Sequence, residues 1–157
     1  MPSPQESVKA RLQADLTTAM KSRDEIATST LRMLRAAITN AEVAGDEAVE
    51  LSDDETIAVL VSEAKKRAES AQVYEENGRV ESAAKERAEL EVIERYLPAA
   101  MGDDELAAIV DEEIATAAAG GAEGPKAMGA VIKAVRERAG AAADGSRIAA
   151  LVKARLT

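Results

Sequence analysis

Apolar residues recur along this chain every three to four positions and almost never every second one, a periodicity that predicts helix nearly throughout. Ser3-Pro4-Gln5-Glu6 reads as a capping box with proline at the first helical position, and Val8, Leu12, Leu16 and Ala19 or Met20 carry the first helix to about Lys21. Asp24 caps a second helix whose stripe is Ile26, Met33 or Leu34, Ala37, Ile38 and Ala41. Gly45 and the acidic run from Asp46 to Glu50 end it. Ser52-Asp53-Asp54-Glu55 is another capping box, worth about 1 kcal/mol, and opens a long third helix through Ile57, Leu60, Val61, Ala64, Ala68, Ala71 and Tyr74. Asn77-Gly78 stops it. A fourth helix follows from about Arg79 with Val80, Ala84, Arg87, Leu90, Ile93 and Leu97, so these two helices form an antiparallel hairpin laced with Glu-Lys and Glu-Arg pairs and projecting as a charged arm.

Pro98 disfavours helical geometry at Leu97 and ends the fourth helix. Gly102 or Asp103 then caps a fifth, with Glu105 placed to complete a box and Leu106, Ile109 or Val110, Ile114 and Ala117 as its apolar face. Gly120-Gly121 closes it. Pro125 opens a sixth helix carrying Met128, Val131, Ile132 and Val135, and Asp144 caps a seventh with Ile148, Leu151, Val152 and Leu156. The pattern therefore predicts an all-α protein: an N-terminal helical lobe of about four helices with a long hairpin, residues 1–98, and a small three-helix C-terminal lobe, residues 99–157. Gly129 inside the sixth helix costs about 1 kcal/mol relative to Ala, which suggests close approach of a neighbouring helix.

Composition changes the picture in one respect: the 46% apolar share comes from Ala, Val, Leu and Ile, with no Phe or Trp and only Tyr74 and Tyr96 as aromatics. A 157-residue chain can bury roughly two-thirds of its unfolded surface, here by close packing of Ala-rich helices. No run approaches the roughly 18 apolar residues of a membrane span, and "MPSPQESVKA" lacks the basic and apolar regions of a signal peptide, so a cytoplasmic location is expected. The absence of Cys and His removes disulfides, the usual zinc sites and every Ser-His or Cys-His device, and no glycine-rich phosphate loop is present. No cofactor, metal site or catalytic residue is expected.

Charge is distributed unevenly. The net −9 resolves into six basic and four acidic groups over residues 1–40, seven and sixteen over 41–96, none and seven over 97–124, and seven and two over 125–157. The basic tail residues Lys126, Lys133, Arg136, Arg138, Arg147, Lys153 and Arg155 are candidates for RNA phosphates, against the alternative of a solvated helix surface. Without an aromatic platform in that lobe, recognition of a folded RNA by shape and backbone is the form this takes, and the acidic fifth helix is expected to face away from it. Arg32 and Arg35 share a helix face and are candidates for a phosphate or a partner's carboxylate, with local pairing to Glu63 or Glu91 as the structural alternative. Lys65-Lys66-Arg67 point around their helix, which favours ion pairing with the Glu-rich fourth helix. The carboxylate pairs Asp53-Asp54, Asp103-Asp104 and Glu112-Glu113 read as helix-dipole partners and surface charge rather than acid-base or Mg²⁺ chemistry.

Five segments in register, "STLRMLRAAI" at 29–38, "SEAKKRAESAQVYEENGR" at 62–79, "AELEVIERYLP" at 88–98, "MGAVIKAV" at 128–135, and "ADG" at 143–145 followed by "ALVKARL" at 150–156, resemble the stand-alone GatB/YqeY proteins. These are small bacterial helical proteins related to the C-terminal tail of the B subunit of tRNA-dependent amidotransferase. The resemblance implies an all-helical fold in two lobes joined near "YLPAAMGDDEL", and a tail that helps recognise tRNA. It also implies an association with amide transfer, a carbon-nitrogen ligase reaction with glutamine as amido-N-donor. Nothing in this chain activates a carboxyl or hydrolyses glutamine, so the expectation is a non-catalytic tRNA- or RNA-associated adaptor whose acidic N-terminal lobe contacts a protein partner. The alternatives are an auxiliary role in amide transfer and a pure protein-interaction module using the charged hairpin. Where many relatives place a basic residue before "ADG", this chain has Gly140-Ala141-Ala142-Ala143, so that phosphate contact is missing.

Overall fold

A computed structural model describes residues 6–157, and among these residues seven α-helices form and no strand. They are α1 (Val8–Ser22), α2 (Glu25–Glu42), α3 (Asp53–Glu76), α4 (Val80–Glu94), α5 (Asp103–Ala119), α6 (Met128–Ala139) and α7 (Gly145–Leu156). The chain divides into two compact units, Met1–Leu97 and Pro98–Thr157.

The local signals act where they were placed. Asp24 accepts from the Ala27 N–H at 3.0 Å, Asp144 from the Ser146 N–H at 2.8 Å, and Ser52 and Glu55 complete a reciprocal capping box. The box at Ser3-Pro4-Gln5-Glu6 falls mostly outside the described residues; Ser7 caps α1 instead, accepting from the Ala10 N–H at 3.1 Å. Gly102 caps α5 without a side chain, so no box forms there, and Asp103, Asp104 and Glu105 serve the first turn through the helix dipole. Pro125 opens a short 3₁₀ turn, Gly124–Ala127, and α6 proper begins at Met128.

In the first unit α3 packs along α4, α1 along α2, and α2 lies against both α3 and α4. The core gathers Val8, Leu12 and Leu16 of α1, Leu31, Leu34 and Ile38 of α2, Leu60 of α3, Val92 and Ile93 of α4, and Tyr96. Two predicted stripes are turned by about one residue. On α2 it is Ala27, Thr30 and Leu31 that are buried while Ile26 is 41% exposed, and on α4 Ala83 is buried while Val80 is 73% exposed. Ala71 of α3 and Ala83 are buried outside the main core, in the long two-helix pairing where small side chains let the backbones approach.

The second unit is a three-helix cluster in which each of α5, α6 and α7 packs on the other two around Leu106, Val110, Val131, Val135, Ile148 and Val152. The turn at Gly124–Ala127 contacts all three helices and buries Ala127. Met101 is held to this unit by its N–H donating to the Ala142 carbonyl at 2.7 Å and by Arg147 donating to the Met101 carbonyl at 2.8 Å. Gly129 is not a close-approach site: a Cβ there would meet nothing within 4 Å.

Candidate nucleic-acid interface in the C-terminal unit

The seven tail cations separate into two groups once α5 is folded against α6 and α7. Arg138, in the last turn of α6, reaches Glu112 at 2.8 Å and Glu113 at 3.1 Å. Arg155, near the end of α7, donates from the single nitrogen Nη1 to both oxygens of Asp111 at 2.7 and 2.8 Å. Arg147, in the first turns of α7, is half-buried and pairs with Asp103 as well as with the Met101 carbonyl. Glu112 and then Glu113 hold the Arg138 guanidinium above its ordinary pKa, so it stays charged. These three arginines fasten α5 to its neighbours. Asp111, Glu112 and Glu113 of the acidic helix are thus turned onto Arg138 and Arg155.

Lys126 on the 3₁₀ turn, Lys133 and Arg136 on α6, and Lys153 on α7 are all exposed and enter no ion pair among the described residues. Lys133 and Arg136 are three apart and lie on one side of α6, away from the buried Val131, Val135 and Ala139. The Arg136 guanidinium lies against Gly145, at the first turn of α7, in the space a Cβ would take. The turn before α7 thus has a cation beside it after all, delivered from α6 rather than from the sequence preceding "ADG". No spacing rule finds this contact, because it depends on the α6–α7 packing.

In the first unit, Arg32 and Arg35 do not pair with Glu63 or Glu91. Glu63 is taken by Lys66 and Arg67, both at 3.2 Å, and Arg32 instead approaches the Met20 sulfur at 3.8 Å. Arg67 also reaches Glu89 at 3.3 Å and Glu86 at 3.9 Å on α4, the cross-hairpin pairing expected of the basic run, whereas Lys66 stays on its own helix. Members of each carboxylate pair meet groups brought by packing from distant parts of the chain: Asp53 accepts from the Val8 N–H at 3.1 Å, and Asp103, Glu112 and Glu113 meet arginines. Among the described residues no cluster of three or more acidic, His or Cys side chains is arranged to hold a metal ion, and no helix is long and apolar enough to cross a membrane.

The family model described as Yqey-like protein matches residues 9–156 of this chain. A protein of Pyrenophora tritici-repentis, described as altered inheritance of mitochondria protein 41, mitochondrial, is 29% identical over 144 residues, covering 87% of this chain and 76% of that protein.

Proposed function

The chain belongs to the YqeY-like protein family, and on that premise we propose that it is a non-catalytic helical adaptor that holds structured RNA, with tRNA the leading case, through backbone phosphates. Lys126, Lys133, Arg136 and Lys153 carry the contact, and Arg138, Arg147 and Arg155 build the unit that presents them. The observation that carries this reading is the placement of Arg136 against Gly145 with Lys133 one turn away, two cations left unpaired on a unit with nine acidic residues against seven basic ones. Four of those acids, Asp103, Asp111, Glu112 and Glu113, pair with Arg138, Arg147 and Arg155, and none pairs with Lys133 or Arg136. The resemblance of the tail to the tRNA-recognising part of the amidotransferase B subunit is what favours tRNA within this reading. The cytoplasm is the compartment this reading takes; fractionation finding the chain in mitochondria, the location in the fungal relative's name, overturns that part.

Phosphate contacts release counterions, so the proposal has a quantitative signature. Four neutralised phosphates give a roughly hundredfold loss of tRNA affinity between about 50 and 200 mM salt. K133Q/R136Q should lower the slope of log affinity against log salt by about two, whereas R138Q/R155Q should leave it nearly unchanged. No tRNA binding at about 50 mM salt, or equal losses in both double variants, defeats the reading.

A further inference from the structure

The seam between α1 and α2 is a second charged surface, on the other unit, and it goes beyond the RNA reading. One wall is the α1 side bearing Lys9, Gln13 and Met20; the other is the α2 side bearing Thr28, Arg32, Arg35 and Thr39, with a groove toward each end of the seam. The ends are chemically closed or self-complementary: Glu42 is occupied by Lys9 and by the Leu51 N–H at one, and Glu25 flanks the other. Arg32 and Arg35, one in each groove, are exposed and enter no ion pair among the described residues, and Met20, beside Arg32, is 51% exposed. Arg23 sits where α1 turns into α2 in the left-handed conformation, at φ 60° and ψ 33°, the one described non-glycine residue with positive φ. That backbone is disfavoured for a residue with a Cβ, yet it brings a third cation to the Met20 end of the seam.

We propose that this seam docks an acidic amphipathic helix of a partner protein, Arg32 and Arg35 meeting carboxylates one helical turn apart and Met20, beside Arg32, meeting an apolar residue next to that pair. The match is one of charge and spacing. Side chains three apart on α2 stand about 5–6 Å apart at Cβ, the separation of Glu residues at i and i+3 or i+4 on a second helix. Arginine forks suit carboxylates, and a flexible thioether suits an apolar face of variable shape. In a chain of net charge −9, Arg32 and Arg35, which enter no ion pair among the described residues, favour an acidic partner against the repulsion of its surroundings.

The probe is a fluorescein-labelled 18-residue helical peptide of Glu, Leu and Ala with Glu pairs at i, i+4, beside a control with every Glu changed to Gln, titrated by anisotropy into the full chain at low salt. Wild type should bind the acidic peptide and not the control, R32Q/R35Q should weaken it about fivefold or more, and K133Q/R136Q should leave it unchanged. An RNA duplex probe runs in parallel, so loss of the RNA reading leaves the peptide result standing, and the reverse. The proposal is overturned by absence of acidic-peptide binding in wild type, by equal binding in R32Q/R35Q, or by R32Q/R35Q weakening the RNA duplex as strongly as the peptide, which makes the seam an RNA surface. Unchanged melting temperature in R32Q/R35Q, as exposed side chains predict, keeps the comparison clean.

Discussion

The Tyr96 hydroxyl donates to the carboxylate of Asp15, 81 residues earlier, while the Arg11 guanidinium stands over the same ring, 5.2 Å from its centroid. This contact fixes the segment after α4 onto α1. Burial, and after it the hydrogen bond to Asp15, push the Tyr96 phenol above its ordinary pKa of 10.0. The Y96F variant should lose about 1 kcal/mol, measured by urea unfolding. Because the folded state keeps the proton that the unfolded chain releases above pH 10, wild-type stability should fall as pH rises beyond that value. In Y96F that alkaline loss should be smaller.

Glu42 ties down the loop after α2. Its carboxylate accepts from Lys9, the larger influence, and from the Leu51 N–H at 3.0 Å, and together these lower its pKa below the ordinary 4.5. A depressed carboxylate contributes stability above its unfolded pKa and loses it as pH falls through the folded one. E42Q should therefore be less stable than wild type at neutral pH, with the gap closing below about pH 4. Thermal melts across an acid pH series read this directly.

Arg67 is the electrostatic knot of the hairpin. Its side chain is only 14% exposed, faces Glu63, Glu86 and Glu89, and touches the Met33 sulfur; the Glu86 Oε2 atom is buried with no hydrogen bond. R67M keeps the stem and removes the charge, leaving three clustered carboxylates without their cation, and should cost about 2–3 kcal/mol. Adding E86Q and E89Q to R67M should recover part of that loss. Equal stability of R67M and wild type in urea contradicts the assignment.

Arg23 tests whether a strained residue is kept for its side chain. R23G relieves the left-handed backbone and should raise stability by about 0.5 kcal/mol, net of the added freedom of the unfolded chain. It should also weaken the acidic peptide. A stabilised variant with undiminished peptide binding separates Arg23 from the docking seam.

The helices and most of their ends were legible in the sequence because they depend on neighbours within four residues. Asp24, Ser52 with Glu55, Asn77-Gly78, Gly120-Gly121 and Asp144 each satisfy or release backbone groups of their own turn. Which face turns inward was less legible. On α2 and α4 adjacent positions are similarly apolar, so Ile26 and Ala27, or Ala83 and Ala84, compete for the interior and the facing helix selects between them. Gly129 was misread for a related reason: an open glycine and a crowded one look alike in a string.

The sequence by itself determined an all-helical chain, its caps and breaks, and a tail of seven basic residues, since each follows from local hydrogen bonding, periodicity or counting. Only the tertiary structure decided which charges remain available. Arg138 lies 25 residues from Glu113, Arg155 44 from Asp111, and Arg67 34 from Met33, and these distances vanish only when the helices pack. Packing spends Arg138, Arg147 and Arg155 on α5, spends Glu63 on Lys66 and Arg67, and carries Arg136 to the turn before α7. Charge pairing falls off with distance in space rather than along the chain, so a linear count records the cations and the fold alone says which of them still face solvent unpaired.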